Sequence, residues 1–282
     1  MTITTDDSRR VGQDECSYDE FLACLVSREI EDGGAAFVGA ALPAIRAGTL
    51  LGHLLHGPNT RMLISMTTTN LHHIPVIDRF SFVTDWRGSR WAEHYRIVED
   101  IFGNMRKIAG WRGFFVGALQ VDPYGNSNLL GRRDEDGGFA FRGAGSVGTP
   151  SVTAVAASFN ILVNRHDPSV FVEECDFVSA PGWIDGTPGA RDRLGLRGGP
   201  ASCLSPLGVF DFEPETRRMR GKTLHPGVTP DHVRAATGFD IDVPADTPTT
   251  LLPSELELET LRTRIDRLGE LRKEGASWPT ST

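Results

Sequence analysis

The chain has 282 residues, of which 39% are hydrophobic, and a formal net charge of -8. That is enough apolar material for one large core or two modest ones, and the acidic balance excludes wholesale wrapping of nucleic acid, which needs a basic face. Four widely separated cysteines, Cys16, Cys24, Cys175 and Cys203, lack the close pairing of a zinc site and are too few to staple such a chain; they read as reduced thiols, so the expectation is a soluble, cytoplasmic protein without metal or membrane.

In chain order, residues 1–16 are polar and acidic and predict a flexible arm. From Ser17 the run YDEFLACLVSREI sets Phe21, Leu22, Leu25, Val26 and Ile30 near one helical face, with Ser17 as cap and Glu20 three residues on. Gly33-Gly34 ends that helix. AAFVGAALP reads as a buried strand, AIRAGTLLGHLLH as a helix and RMLISM as the next strand. Strand, helix, strand at this spacing is a βαβ unit, which predicts a largely parallel sheet flanked by helices and places the chain in the α/β class. Residues 86–107 read as partly helical, and GFFVGALQVD as a strand broken by the turn DPYGNSN. VTAVAASFNILVNR and VFVEECDFVSAP supply more of the sheet, and GVFDFEPETRRMR a hairpin turning near Pro214. In TPDHVRAATGFDI, Thr229 is the cap, Pro230 the first helical residue and Gly238 the stop. Leu252 to Leu271 form a Leu stripe at helical spacing that predicts a docking helix. The organisation is thus an arm at 1–16, one α/β domain at 17–272 and a tail at 273–282.

Four stretches invite chemistry. In FRGAGSVGTPSV, Gly143, Gly145 and Gly148 match GxGxxG, but the acidic residue a dinucleotide fingerprint needs downstream is missing; the run is either a plain turn or a nest of backbone N–H groups for an oxyanion or phosphate. His72 and His73 are adjacent, so on a strand they face opposite sides and suit one metal ion poorly. Ser65 lacks the GxSxG elbow of a serine nucleophile. PGWIDGTPGARDRLGL, from Pro181, is too long for an idle loop, and Trp183, Ile184, Leu194 and Leu196 predict that it is ordered against something.

Several segments together resemble the β subunits of the class I CoA-transferases, especially that of glutaconate CoA-transferase. They are FVGAALP (37–43), GALQVDPYGNSN (117–128), FRGAGSVG (141–148), FVEECDFVSAPGWIDG (171–186), RDRLGL (191–196), LGVFDFEPETRRM (207–219) and HPGVTPDHVRAATGFDI (225–241), with LRTRID closing the series. The resemblance spans roughly residues 20 to 268. It implies a Rossmann-like CoA-transferase fold, a separately encoded α subunit in a heterodimer or heterotetramer, and an acyl-CoA substrate that brings coenzyme A with it. It also implies oxyanion contacts from Gly143, Ala144 and Gly145, with Gln120, Asn126, Thr67 and Asn70 as substrate-binding residues.

One departure stands out. The family's nucleophilic Glu, which forms the glutamyl-CoA thioester, falls here on Ser65, and no residue from Thr60 to Val76 is acidic. Either the chemistry is altered, as in relatives of this family that hydrolyse a C–C bond of a cyclic keto-acyl-CoA with an acid of the α subunit, or a carboxylate from elsewhere sustains CoA transfer, or the chain is a non-catalytic acyl-CoA-binding scaffold. LGVFDF and LHPGVTP resemble the hydrolase branch as well; PGWIDG and RLGL resemble the glutaconate branch.

Overall fold

A computed structural model describes residues 9–38, 42–64, 68–69, 92–95, 111–273 and 278. The chain divides into two units, Met1–Phe115 with Leu251–Thr280, and Val116–Thr250 with Ser281–Thr282.

The first unit opens with helix α1, Tyr18–Arg28, whose start is fixed as the sequence predicts: the Ser17 hydroxyl accepts the Glu20 N–H and the Glu20 carboxylate accepts the Ser17 N–H. Strand β1, Ala35–Val38, is buried throughout, helix α2 follows at Pro43–Leu55, and strand β2 at Arg61–Ile64. Thr68–Thr69 (β3) pairs antiparallel with His94–Tyr95 (β4). Those two residues of the stretch read as partly helical are therefore extended, because β3 offers their backbone a ladder; the rest of that stretch lies outside the described residues, apart from Ala92 and Glu93. β1 lies between β2 and β5, Trp111–Gly117, and is parallel to both, so the predicted βαβ unit is present.

Helices α1 and α2 approach closely because α2 carries Gly48 and Gly52 toward α1. A β-carbon on Gly48 would stand 2.5 Å from the Ala23 carbonyl oxygen, and one on Gly52 2.7 Å from that of Ser27. The chain returns to this unit at its end, where the predicted long Leu helix is broken. A helix at Glu255–Thr260 gives way to a π-helical turn at Leu261–Ile265 and a 3-10 turn at Glu270–Arg272. Leu258, Leu261, Ile265 and Leu271 are nevertheless buried, because the changes of helix type re-aim the stripe onto the unit. A second capping box, Ser254 with Glu257, starts this segment.

The two boxes are reciprocal. Buried Glu257 pairs with Arg28 of α1 at 2.8 Å and with Arg10 at 3.3 Å, while buried Glu20 of α1 pairs with Arg262 at 2.8 Å. Residues 9–16, read from the sequence as part of an arm, are tied here too: the Val11 N–H donates to the Pro253 carbonyl at 3.0 Å.

Among the described residues, the second unit contains five strand pairings. Gln120–Val121 (β6) pairs antiparallel with Ser127–Asn128 (β7), and Gly131–Arg133 (β8) with Phe139–Arg142 (β9). After helix α3, Thr149–Val155, strand β10, Phe159–Leu162, runs parallel to β11, Pro200–Ser205; β12, Gly208–Phe212, and β13, Met219–Leu224, add an antiparallel hairpin, as predicted. A single helical turn, α4, spans Ala190–Arg193, and α5 spans Pro230–Ala236, capped by Thr229 as predicted. VFVEECDFVSAP is not a strand of the sheet. It meets its neighbours through the isolated bridges Val121 to Phe171 and Ser127 to Ala180, since its central Glu173-Glu174 and Asp176 do not suit a sheet interior.

Two histidines pack into this unit, His225 buried and His166 half-buried. The His166 ring stacks on Phe171 at 3.7 Å, with Nδ1 2.7 Å from the Ser205 hydroxyl and Nε2 3.0 Å from that of Thr237. Thr237 donates its own hydrogen to the Val233 carbonyl, so it accepts from Nε2–H, and Ser205 donates to Nδ1. Burial lowers the His166 pKa to about 3 and that of His225 to about 4, which keeps both rings neutral near pH 7.

Two measurements follow from this packing. Gly48→Ala gains roughly 1 kcal/mol of helix propensity but drives a β-carbon into the α1 backbone; a net loss of about 1–3 kcal/mol in denaturant unfolding is expected, and an unchanged or raised midpoint would contradict the close α1–α2 contact. For the histidines, the folded pKa lies below the unfolded value of about 6.5, so their contribution is complete above pH 6.5 and is lost as pH falls, by about 1.4 kcal/mol per pH unit for each. Asp122, raised by burial to about 6, works the other way and returns part of that loss between about pH 6 and pH 4. Urea midpoints should drop from pH 7 to pH 5, and the pair His166→Gln and His225→Gln should flatten the drop; an equal drop in the double variant removes the histidines as its cause.

Candidate active site

The platform of the site is the turn between β6 and β7. Asp122 accepts the Tyr124 N–H at 2.9 Å and the Asn126 N–H at 3.0 Å on one carboxylate oxygen, and the Asn126 side-chain amide at 2.7 Å on the other. The second Asn126 amide hydrogen goes to the Ile184 carbonyl at 2.7 Å, and Asn126 Oδ1 accepts the Gly182 N–H at 2.8 Å. All three groups of the Asn126 side chain are engaged within the protein.

Gln120 is equally embedded. Its Oε1 accepts from Asn128 Nδ2 at 2.6 Å and from the Asp176 N–H at 3.1 Å, while its Nε2 donates to the Asp176 carboxylate at 3.1 Å. Among the described residues one Gln120 amide hydrogen has no acceptor. Asn128 in turn binds both the Gly131 carbonyl and the Leu130 N–H, which sets the exit of β7 toward the β8–β9 hairpin.

That hairpin delivers the glycine turn. Gly143 donates its N–H to the Leu130 carbonyl at 2.8 Å, and a β-carbon there would meet Leu119 at 2.6 Å. Beyond Gly143 the pattern changes. Among the described residues, the backbone N–H groups of Ala144, Gly145, Ser146, Val147 and Gly148 have no hydrogen-bond acceptor. Gly145 has φ +86° with open space where a side chain would stand, and Val147 has φ 49° and is 66% exposed. A β-branched residue in the left-handed region is strained by roughly 1–3 kcal/mol. Residues of alternating hand bring successive N–H groups onto one concave side, a nest suited to a negative oxygen.

The nest is held from its flanks. The Thr149 hydroxyl donates to the Ser146 carbonyl at 2.6 Å, the Ser146 hydroxyl lies 3.4 Å from that of Ser179, and Ser179 accepts the Leu129 N–H at 3.0 Å. Ser179 and Ala180 both donate backbone N–H groups to the Ser127 carbonyl. The structure thus brings Gln120, Asn126 and the 143–148 turn into one bonded network. Ser65, Thr67, Asn70, His72 and His73 lie outside the described residues. Sequence reasoning missed Asp122, Asn128, Asp176 and Ser179: the Asp122–Asn126 turn spacing was a local signal that could have found Asp122, whereas Asp176 and Ser179 meet Gln120 and Leu129 only across fifty or more residues. Among the described residues no group of three metal-ligating side chains occurs, and no helix is long and apolar enough to cross a membrane.

No family model matches the chain. It is 29% identical over 234 residues to the β subunit of glutaconate CoA-transferase of Acidaminococcus fermentans, covering 79% of this chain and 83% of that one. The crystal structure of glutaconate CoA-transferase from that organism superposes with a TM-score of 0.80 at 24% identity, over 91% of this chain and 97% of the other. The cholesterol ring-cleaving hydrolase IpdB subunit of Mycobacterium tuberculosis is 36% identical over 172 residues, 58% of this chain and 65% of its own. The decarboxylase AibA/AibB shares the fold with a TM-score of 0.74 at 22% identity, over 90% of this chain and 96% of that one. The fold is therefore the expected one, α/β with a largely parallel sheet flanked by helices.

Proposed function

We propose that this chain, a homologue of the β subunits of CoA-transferase-family enzymes, works with an α subunit on an acyl-CoA thioester, in hydrolytic or lyase-like chemistry rather than CoA transfer. The observation that carries this reading is the absence of any carboxylate from Thr60 to Val76, in a chain that keeps an open nest at Ala144–Gly148. A transferase of this kind needs a carboxylate nucleophile on that segment; an oxyanion-stabilised hydrolysis does not.

In the reaction we propose, the nest receives a carbonyl oxygen of the substrate. Water activated by an acid or base of the α subunit adds to a ring ketone, and the neighbouring C–C bond breaks. Its electron pair passes into the acyl-CoA part as an enolate while the ketone carbon becomes a carboxylic acid. The nest N–H groups hold the enolate oxygen until carbon is protonated. Each such donor is commonly worth about 10²–10³ in rate. Gln120 offers its remaining amide hydrogen to the substrate, Asn126 fixes the platform, Thr67 and Asn70 are the further substrate-binding residues, and Ser65 does not attack. Similarity to a ring-cleaving hydrolase subunit supports this choice.

The test is the complex reconstituted with its α subunit, given glutaconyl-CoA and a panel of cyclic keto-acyl-CoA thioesters, with and without acetate as acceptor. Ring-opened acyl-CoA formed without an acceptor is expected. Acceptor-dependent CoA exchange, with a thioester on this chain trapped by hydroxylamine, would sink the proposal. Gly145→Ala and Gly145→Val share the cost of a side chain at positive φ, roughly 1–2 kcal/mol of stability. Only valine also fills the nest, so it should lower kcat by about 10²-fold beyond alanine; equal rates for the two would remove the turn from the reaction.

A further inference from the structure

Arg191 lies in PGWIDGTPGARDRLGL, on α4, is 4% exposed, and among the described residues its guanidinium meets no carboxylate. Its four terminal hydrogens go instead to four backbone carbonyls. Nη1 donates to Pro181 at 2.6 Å and to Gly182 at 2.7 Å; Nη2 donates to Thr153 at 2.7 Å and to Arg197 at 2.6 Å. The Phe159 ring lies 5.9 Å away. Only Nε–H is without an acceptor, and it is shut off from solvent. Burial lowers the Arg191 pKa to about 10. A desolvated cation with no carboxylate paired to it among the described residues is a costly way to close a surface loop.

Three of these four carbonyls lead to the nest. Thr153 belongs to α3, the helix that leaves the glycine turn at Gly148. Pro181 and Gly182 directly follow Ser179 and Ala180, the segment on which Ser146 and Thr149 rest. Gly182 is also the residue whose N–H binds Asn126. A turn that leaves five successive donors unbonded cannot hold its own shape, so its geometry has to be imposed from both flanks. One planar guanidinium, with four hydrogens in fixed directions, bonds both.

We infer that Arg191 is a positioning residue for the oxyanion turn: it locks α3 to the Ser179–Gly182 segment and thereby fixes where the N–H groups of Ala144–Gly148 converge. The inference rests on the reaction proposed above.

The experiment compares Arg191→Ala and Arg191→Lys in the complete complex, using the acyl-CoA that supports turnover, with Gly145→Val as reference. Arg191→Ala should assemble with the α subunit and keep KM while losing about 10²-fold in kcat, the usual effect of misplacing a reacting geometry by about 1 Å. Guanidinium ion below denaturing concentration should restore part of that kcat, and methylammonium should not. Arg191→Lys, with three donors radiating from one atom, should remain impaired. A kcat loss that merely follows the folded fraction, without guanidinium rescue, would overturn the inference. If Arg191→Ala fails to assemble, Arg191→Lys decides, and wild-type kcat there overturns it. Wild-type turnover by Gly145→Val would instead bring down the oxyanion reading itself.

Discussion

Buried amides place most of their hydrogen-bonding groups on protein partners, and Asn126 places all three by joining segments nearly sixty residues apart. Its two hydrogens and one oxygen reach Asp122, Ile184 and Gly182, so the turn after β6 and the long loop beyond Ala180 take one relative geometry. Gln120 and Asn128 extend the same logic to Asp176 and Gly131. Ser179, placed by the Ser127 carbonyl, carries it to the glycine turn. The flanks of the nest are bonded, and the five N–H groups without a protein acceptor among the described residues lie on exposed or half-exposed residues, where water satisfies them.

A nest is indifferent to what attacks the substrate. Acyl transfer, C–C hydrolysis beside a thioester and decarboxylation beside a thioester all place negative charge on a carbonyl oxygen at some stage, and all gain from N–H groups fixed in advance. The fold is shared by a glutaconate CoA-transferase, IpdAB and the decarboxylase AibA/AibB, so it does not by itself fix the reaction.

In the first unit, electrostatics and helix capping share the same residues. Glu20 and Glu257 each cap the start of their own segment and pair with an arginine of the other. Burial alone would raise the Glu257 pKa, but the Arg28 hydrogen bond and charge outweigh it and leave the carboxyl below its usual range. Such pairs add little net stability beside an apolar substitute, yet they specify which helix ends meet.

The sequence by itself determined the local signals: the Ser17–Glu20 capping box, the Thr229-Pro230 helix start, the βαβ unit, the hairpin at Gly208–Arg220 and the glycine turn as a candidate nest. Each depends on neighbours within a few residues, so composition and spacing suffice. It also determined that the segment from Thr60 to Val76 carries no acid. Tertiary structure alone decided that VFVEECDFVSAP stays out of the sheet, that the Leu stripe breaks into α, π and 3-10 segments, that Gly143 is bonded while the next five N–H groups find no acceptor among the described residues, and that Arg191 gathers four carbonyls. Those outcomes depend on which partners a backbone group meets across long stretches of chain, and a hydrogen bond of fixed length and direction leaves no trace in the spacing of the residues that make it.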